Sequence, residues 1–230
     1  MIKPLLKNLA RRTLPRPLVE LAEGIRYAGL HKPFSVVRSY SLLSNLNLFF
    51  LQELARRVDR EGIEGDFVEC GVYRGGSAGV LGHVLRSKLP RRLWLFDAFA
   101  GMPVATGEDD DYSHSIKGKF RSEADTRRIL ERIGMPRNSY EVVRGWFNDT
   151  LARCECSRIA LLHVDCDFYD PVKLVLETLY PAVEPGGYVI LNDYGSFQGC
   201  CKATDDFLPS AGSPQLIQID QDAYYFRKKS

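Results

Sequence analysis

DFVECGVYRGGSA, Asp66 to Ala78, is the stretch on which the fold turns. Phe67 and Val68 are strand formers, Gly71 admits backbone conformations closed to other residues, and Gly75-Gly76 lets another molecule approach the main chain. Ser77 is placed to cap a helix over residues 78–86, so the stretch reads as strand, glycine-rich turn and helix start, and the bare amides of a helix start are a binding surface. A dinucleotide fingerprint needs G-x-G-x-x-G, which this turn lacks. Glu69, two residues before Gly71, puts a carboxylate where a pyrophosphate would sit and where a cationic amino group would be favoured. On this stretch alone, a tight strand-to-helix turn with Glu69 only capping stays open.

Outward from the turn, strand and helix patterns alternate. Upstream, YSLLSNLNLFFLQELARRVDR, residues 40–60, carries apolar residues at intervals of three and four and stops before Gly62, which predicts a long helix beside the turn. Downstream, Leu93–Phe96 reads as a buried strand ending at Asp97, an acid that would accept both ribose hydroxyls of a nucleoside or cap the following turn. Residues 100–122 form a long polar connection, expected to be a lid, with Glu108–Asp111 as a solvated acidic run without catalytic duty. A charged helix over Ala124–Ile133 and a strand over Tyr140–Arg144 lead to Trp146 and Phe147, which would wall an adenine ring or serve as ordinary core.

The remaining pattern completes a doubly wound α/β sheet of the Rossmann-like kind, mostly parallel, with helices on both faces. Ile159–Val164 is a strand with Asp165 and Asp167 beyond it, and Pro171 opens a helix over Val172–Tyr180. His163 reads as a core histidine. A turn at Gly186-Gly187 precedes a strand over Tyr188–Leu191 that ends in Asn192 and Asp193, a helix follows over Cys200–Phe207, and residues 215–219 and 223–227 form a closing antiparallel pair. Adjacent strand ends bring Asp165, Asn192 and Asp193 together at the carboxyl edge, as an all-oxygen set suited to Mg2+ or as helix-capping groups.

Composition bounds the function. With 230 residues, 45% hydrophobic and 26% charged, the chain suits one domain with a substantial core. A net charge of +2 without a basic stripe argues against nucleic acid as substrate. No run of 18 apolar residues and no signal-peptide block occurs, so the expected location is cytoplasmic. Residues 1–35 read as a basic, proline-interrupted arm, loosely docked or touching an anionic membrane, and residues 36–230 as the domain proper. The six cysteines, including Cys154, Cys156, Cys200 and Cys201, lack C-x-x-C spacing and are expected as reduced thiols. A homo-oligomer is left open.

The pattern E-x-G-x-x-x-G at Glu69 resembles the first motif of class I S-adenosylmethionine-dependent methyltransferases. With LFDAFAGMP, GWFNDTL, HVDCDFYDP and VEPGGYVILNDYGSFQGC in order, the chain resembles the macrocin O-methyltransferase family over about residues 36–228, the group of the tylosin, mycinamicin and novobiocin sugar O-methyltransferases. That resemblance implies a class I fold, S-adenosylmethionine held by the turn residues Glu69, Gly71, Tyr73, Arg74, Gly75 and Ser77 with Asp97, Trp146 and Phe147, and Mg2+ bound by three strand-end acids. Asp165 matches the first acid and Asp193 the third, while Asn192 stands where the second is usual, removing a charge and keeping an oxygen. Methyl transfer to a hydroxyl needs alignment and a developing oxyanion, so Asp165 is expected as ligand and base, Glu69 opposite the cofactor's amino group and Asp97 on its ribose. The acceptor would be a sugar or glycoside. A catechol-type O-methyltransferase, in which Asp precedes Asn after the fifth strand, and an inactive cofactor-binding partner are the alternatives.

Overall fold

The computed structural model describes residues 33–85, 90–115 and 122–229. Its centre is a seven-stranded sheet in the order β3-β2-β1-β4-β5-β7-β6. The strands are β1 (Asp66–Cys70), β2 (Leu93–Asp97), β3 (Tyr140–Arg144), β4 (Ile159–Val164), β5 (Val183–Leu191), β6 (Ile217–Gln218) and β7 (Tyr224–Arg227). The first five pair in parallel, and β7 runs antiparallel to both β5 and β6. Strand order reverses between β1 and β4, which opens a crevice at their carboxyl ends.

Successive side chains of a strand point to opposite faces, and here both faces are covered. Phe67, Leu93, Leu95, Leu161 and Ile190 pack against α1 (Asn45–Arg60), α2 (Gly76–Val84) and α4 (Glu123–Arg132). Val68, Phe96, Leu162, Val164 and Val189 pack against α5 (Tyr169–Leu179) and α6 (Gln198–Phe207). The short α3 (Asp111–Ser115) lies over the carboxyl edge.

Several boundaries differ from the sequence expectation, each for a local reason. The first long helix starts at Asn45, not Tyr40, because Ser44 is extended and its hydroxyl accepts the Asn47 amide at 3.0 Å, while Arg38–Tyr40 form a separate 3-10 turn. Ser77 is not a cap: α2 begins one residue before it, with Gly75 as the N-cap in the left-handed region at φ 86°. A Cβ on Gly75 would lie 2.7 Å from the Thr126 Cα, and one on Gly71 would lie 1.7 Å from the Asp165 carbonyl oxygen. Gly71 is therefore demanded by the neighbouring strand end as well as by any ligand. Gly186-Gly187 lies inside β5 at a register shift against β4 rather than in a turn before it. Cys154 and Cys156 are joined by a disulfide, which corrects the expectation of six reduced thiols; Cys70, Cys166, Cys200 and Cys201 are free.

The acidic run is not solvated throughout. Asp109 is buried, its carboxylate accepting the Thr106 amide at 2.8 Å and the Tyr169 amide at the start of α5 at 2.8 Å. It ties residues 101–115 to the sheet edge. The basic arm expected over residues 1–35 lies outside the described residues except for its last three.

Candidate functional site

Two cavities meet at Gly71, below the carboxyl ends of the parallel strands. The first, about 310 Å3, runs from Tyr40–Ser44 across Tyr73 and Ser77 to Asp165, Asp167, Asn192 and Asp193. The second, about 360 Å3, is walled by Asp97, Trp146, Phe147, Phe168 and the chain from Gly101 to Thr106. Parallel strands feeding helices place both at the point where the strand order reverses, the ordinary binding crevice of such sheets.

The strand ends converge as expected. The Asn192 amide of β5's end donates to Asp165 Oδ1 at 2.9 Å and to Asp193 Oδ1 at 3.2 Å. Asp193 Oδ2 accepts the Asp167 amide at 3.3 Å. Burial, followed by the Asp167 and Asp165 charges, holds the Asp193 carboxyl well above the usual carboxylate range. Among the described residues lining this cavity there is no lysine, arginine or histidine. The buried Asp193 carboxyl and the half-buried Asp165, together with the Asn192 amide, form a hard oxygen-donor set that fits a divalent cation such as Mg2+.

The turn residues divide. Gly71, Tyr73 and Ser77 line the first cavity, and Asp97, Trp146 and Phe147 the second. Asp97 is 2% exposed, and its carboxylate accepts three backbone amides, Val72 at 2.8 Å, Tyr73 at 3.0 Å and Phe99 at 2.7 Å. It clasps the glycine turn to the end of β2. Trp146 is 44% exposed, so it is not ordinary core, whereas half-buried Phe147 also packs on the second core cluster.

Glu69, Arg74 and Gly75 line neither cavity. Arg74 pairs with Asp125 at 2.7 Å and stacks over the Tyr40 ring at 4.8 Å. Glu69 is fully buried behind the turn, with Oε1 3.0 Å from His163 Nδ1. Burial pulls the His163 pKa down, but the Glu69 hydrogen bond and charge, with Asp165, more than offset it and leave the pKa raised. His163 is thus a core histidine, as its strand position suggests, with Glu69 as its partner. One possible ligand atom from each of Glu69, His163 and Asp165 lies within 4.8 Å of the others.

Three residues of the first cavity carry no role in the sequence reading. Asp167 lines it from a left-handed backbone, φ 62°, unusual for a non-glycine residue and a mark of a constrained position. Tyr112 of α3 faces Phe197 with ring centroids 5.9 Å apart, giving the mouth an aromatic edge. Asn47 is 2% exposed on α1 and donates from Nδ2 to Asn192 Oδ1. Its signal was present: a polar residue at an inward position of an apolar helix face.

This sheet order, with antiparallel closing strands and a cleft at the reversal point, defines a class I S-adenosylmethionine-dependent O-methyltransferase. The chain belongs to the Macrocin-O-methyltransferase (TylF) family, whose model matches residues 11–228 and so begins inside the segment read as an arm. It is 34% identical to the 8-demethyl-8-(2,3-dimethoxy-alpha-L-rhamnosyl)-tetracenomycin-C 4'-O-methyltransferase of Streptomyces olivaceus over 77% of this chain and 71% of that one. It is 28% identical to the mycinamicin III 3''-O-methyltransferase of Micromonospora griseorubida over 84% of this chain and 80% of that one. Among solved structures it is similar to the O-methyltransferase NovP, with a TM-score of 0.75 and 28% identity over 83% of each chain. No helix among the described residues is long and apolar enough to cross a membrane.

Proposed function

We propose that the protein transfers the methyl group of S-adenosylmethionine to a hydroxyl of a sugar carried by a glycosylated natural product, with Mg2+ held by Asp165, Asn192 and Asp193. The observation that carries this is the pairing of the two cavities across Gly71, one acidic and oxygen-lined, the other flanked by Asp97 and the Trp146 indole. The relatives that act on sugars of tetracenomycin and mycinamicin compounds support the acceptor class.

In this account the second cavity takes the adenosine end, with Trp146 and Phe147 along the adenine ring and Asp97 near the ribose. The turn at Gly71–Ser77 carries the methionine end into the first cavity. Glu69, hydrogen-bonded to His163 behind the turn, supports it from there rather than by direct contact. Tyr112 and Phe197 offer faces for an acceptor sugar, and the described part of the connection, residues 101–115, acts as the lid.

Asp165 accepts the hydroxyl proton as the acceptor oxygen attacks the methyl carbon in line. The carbon–oxygen bond forms as the carbon–sulfur bond breaks, releasing S-adenosylhomocysteine. Bound Mg2+ would supply counter-charge to the acceptor oxygen and lower its pKa. Asp167, across the same cavity, is the second carboxylate able to take that proton. A catechol-type acceptor is disfavoured by the order Asn192 before Asp193.

The test is methyl uptake from labelled S-adenosylmethionine onto a panel of glycosides, sugar nucleotides and catechols. Incorporation on a glycoside sugar is expected. Incorporation on catechols alone would contradict the acceptor class, and cofactor binding without transfer to any compound of the panel would favour a non-catalytic partner.

A further inference from the structure

Asn47 occupies an inward position of α1, where packing calls for an apolar side chain, and is 2% exposed. Its Nδ2 donates to Asn192 Oδ1, while Asn192 Nδ2 donates to both Asp165 Oδ1, at 2.9 Å, and Asp193 Oδ1, at 3.2 Å. Asn47 Oδ1 is buried without a hydrogen-bond partner. A buried amide oxygen left without a donor is unfavourable, so its retention calls for a reason.

We propose that Asn47 and Asn192 form a coupled amide switch that sets whether the strand-end site offers N–H donors or an oxygen ligand, making Asn47 a positioning residue for the divalent cation. This rests on the metal reading given above.

In the arrangement observed, the Asn192 amide turns its protons toward two carboxylates and stands in for a cation. To join Asp165 and Asp193 as a ligand, Asn192 must present its oxygen instead. Half a turn of the amide exchanges oxygen and nitrogen without changing its shape. The Asn192 NH2 then faces Asn47, whose own amide must turn to accept it; Asn47 Oδ1 gains a partner and Asn47 Nδ2 gives one up, so the two arrangements are alternatives of similar cost. The two amides therefore turn together. An acid at position 192 would accept from Asn47 with one oxygen and ligate with the other, so it would need no switch. Asparagine at 192, where the resemblance implies an acid, thus gives Asn47 a task it would otherwise lack.

The test uses the full chain with Mn2+ as probe, its binding followed by paramagnetic titration without acceptor. Wild type, Asn47→Asp, Asn192→Asp and the double variant are compared. A carboxylate at position 47 only accepts, so it holds Asn192 with its oxygen toward the cation, and Mn2+ should bind about fivefold tighter than in wild type, the worth of roughly one hydrogen bond. In the Asn192→Asp background the same change sets two carboxylates face to face, and the gain should vanish or reverse. Tightening of similar size in both backgrounds would reduce the effect to added charge and overturn the switch while sparing the metal site. No Mn2+ binding in any of the four would remove both.

A measurement on wild type alone guards against misfolding of the variants. The side-chain NH2 resonances of Asn192 should move upfield on saturation with Mg2+, as their bonds to carboxylates are lost. Resonances that stay in place at saturation overturn the switch.

Discussion

Replacing Asp97 by alanine should cost the protein stability as well as cofactor affinity. The carboxylate accepts the amides of Val72, Tyr73 and Phe99 at 2.8, 3.0 and 2.7 Å and is 2% exposed, so it joins the glycine turn after β1 to the chain leaving β2. A hydrogen bond to a charged group contributes about 1.5–3 kcal/mol net. The three share one carboxylate, and amides facing the cavity regain water, so the sum is less than additive, about 3–5 kcal/mol out of a total stability of about 5–15 kcal/mol. For a chain of this size that is a fall of about 6–20 °C in Tm. Asp97→Asn keeps one oxygen and should fall roughly midway. Urea unfolding without cofactor, with an unchanged m-value, measures the stability, and calorimetry measures the loss of S-adenosylmethionine binding. An Asp97→Ala protein within about 0.5 kcal/mol of wild type, a shift usual for neutral surface substitutions, would refute the clasp. Full cofactor affinity in a folded variant would remove Asp97 from the binding site.

Asp109→Ala should free residues 101–115 from the start of α5, raising their amide hydrogen exchange and the cofactor KM while leaving the sheet protected; unchanged exchange would show that Asp109 does not anchor them. The raised Asp193 pKa means that the metal-free folded protein binds a proton which the unfolded chain releases at the same pH. Stability should therefore be fully present at acid pH and decline as pH rises from the ordinary carboxylate value through the folded one. Asp193→Asn or saturating Mg2+ should flatten that slope in a series of melting curves, and an identical slope in all three would contradict the cause assigned. Alkylation of the denatured chain without reductant should label four of the six cysteines, and all six after reduction; six in both would show Cys154 and Cys156 as thiols.

The sheet was largely legible because its parallel strands are short, mostly apolar and punctuated. Tyr140–Arg144 and Ile159–Val164 fall where β-branched and aliphatic runs put them, and Asp97, Asp165 and Asn192 stand at the strand ends the pattern implies. What stayed hidden depends on contacts distant in sequence. Gly75 takes the cap from Ser77 because Thr126 crowds the turn, and Glu69 turns from the cavity because His163 lies beside it on β4. Asp109 looks solvated within an acidic run until Tyr169, 60 positions on, supplies its amide. Asn47 was legible as a polar residue on the inward face of a helix, but not its partner, which lies 145 positions away.

The central claim is metal-assisted methyl transfer at Asp165, Asn192 and Asp193, and a Mg2+ titration of chelator-stripped protein under saturating S-adenosylmethionine tests it most directly. Stripped wild type should be inactive and recover with Mg2+. Asp165→Asn and Asp193→Asn should bind cofactor normally without turning over, and Asn192→Asp should reach half-maximal activity at lower Mg2+. Full activity of the stripped wild type, with Asp165→Asn turning over at a comparable rate, would contradict both the metal site and the base.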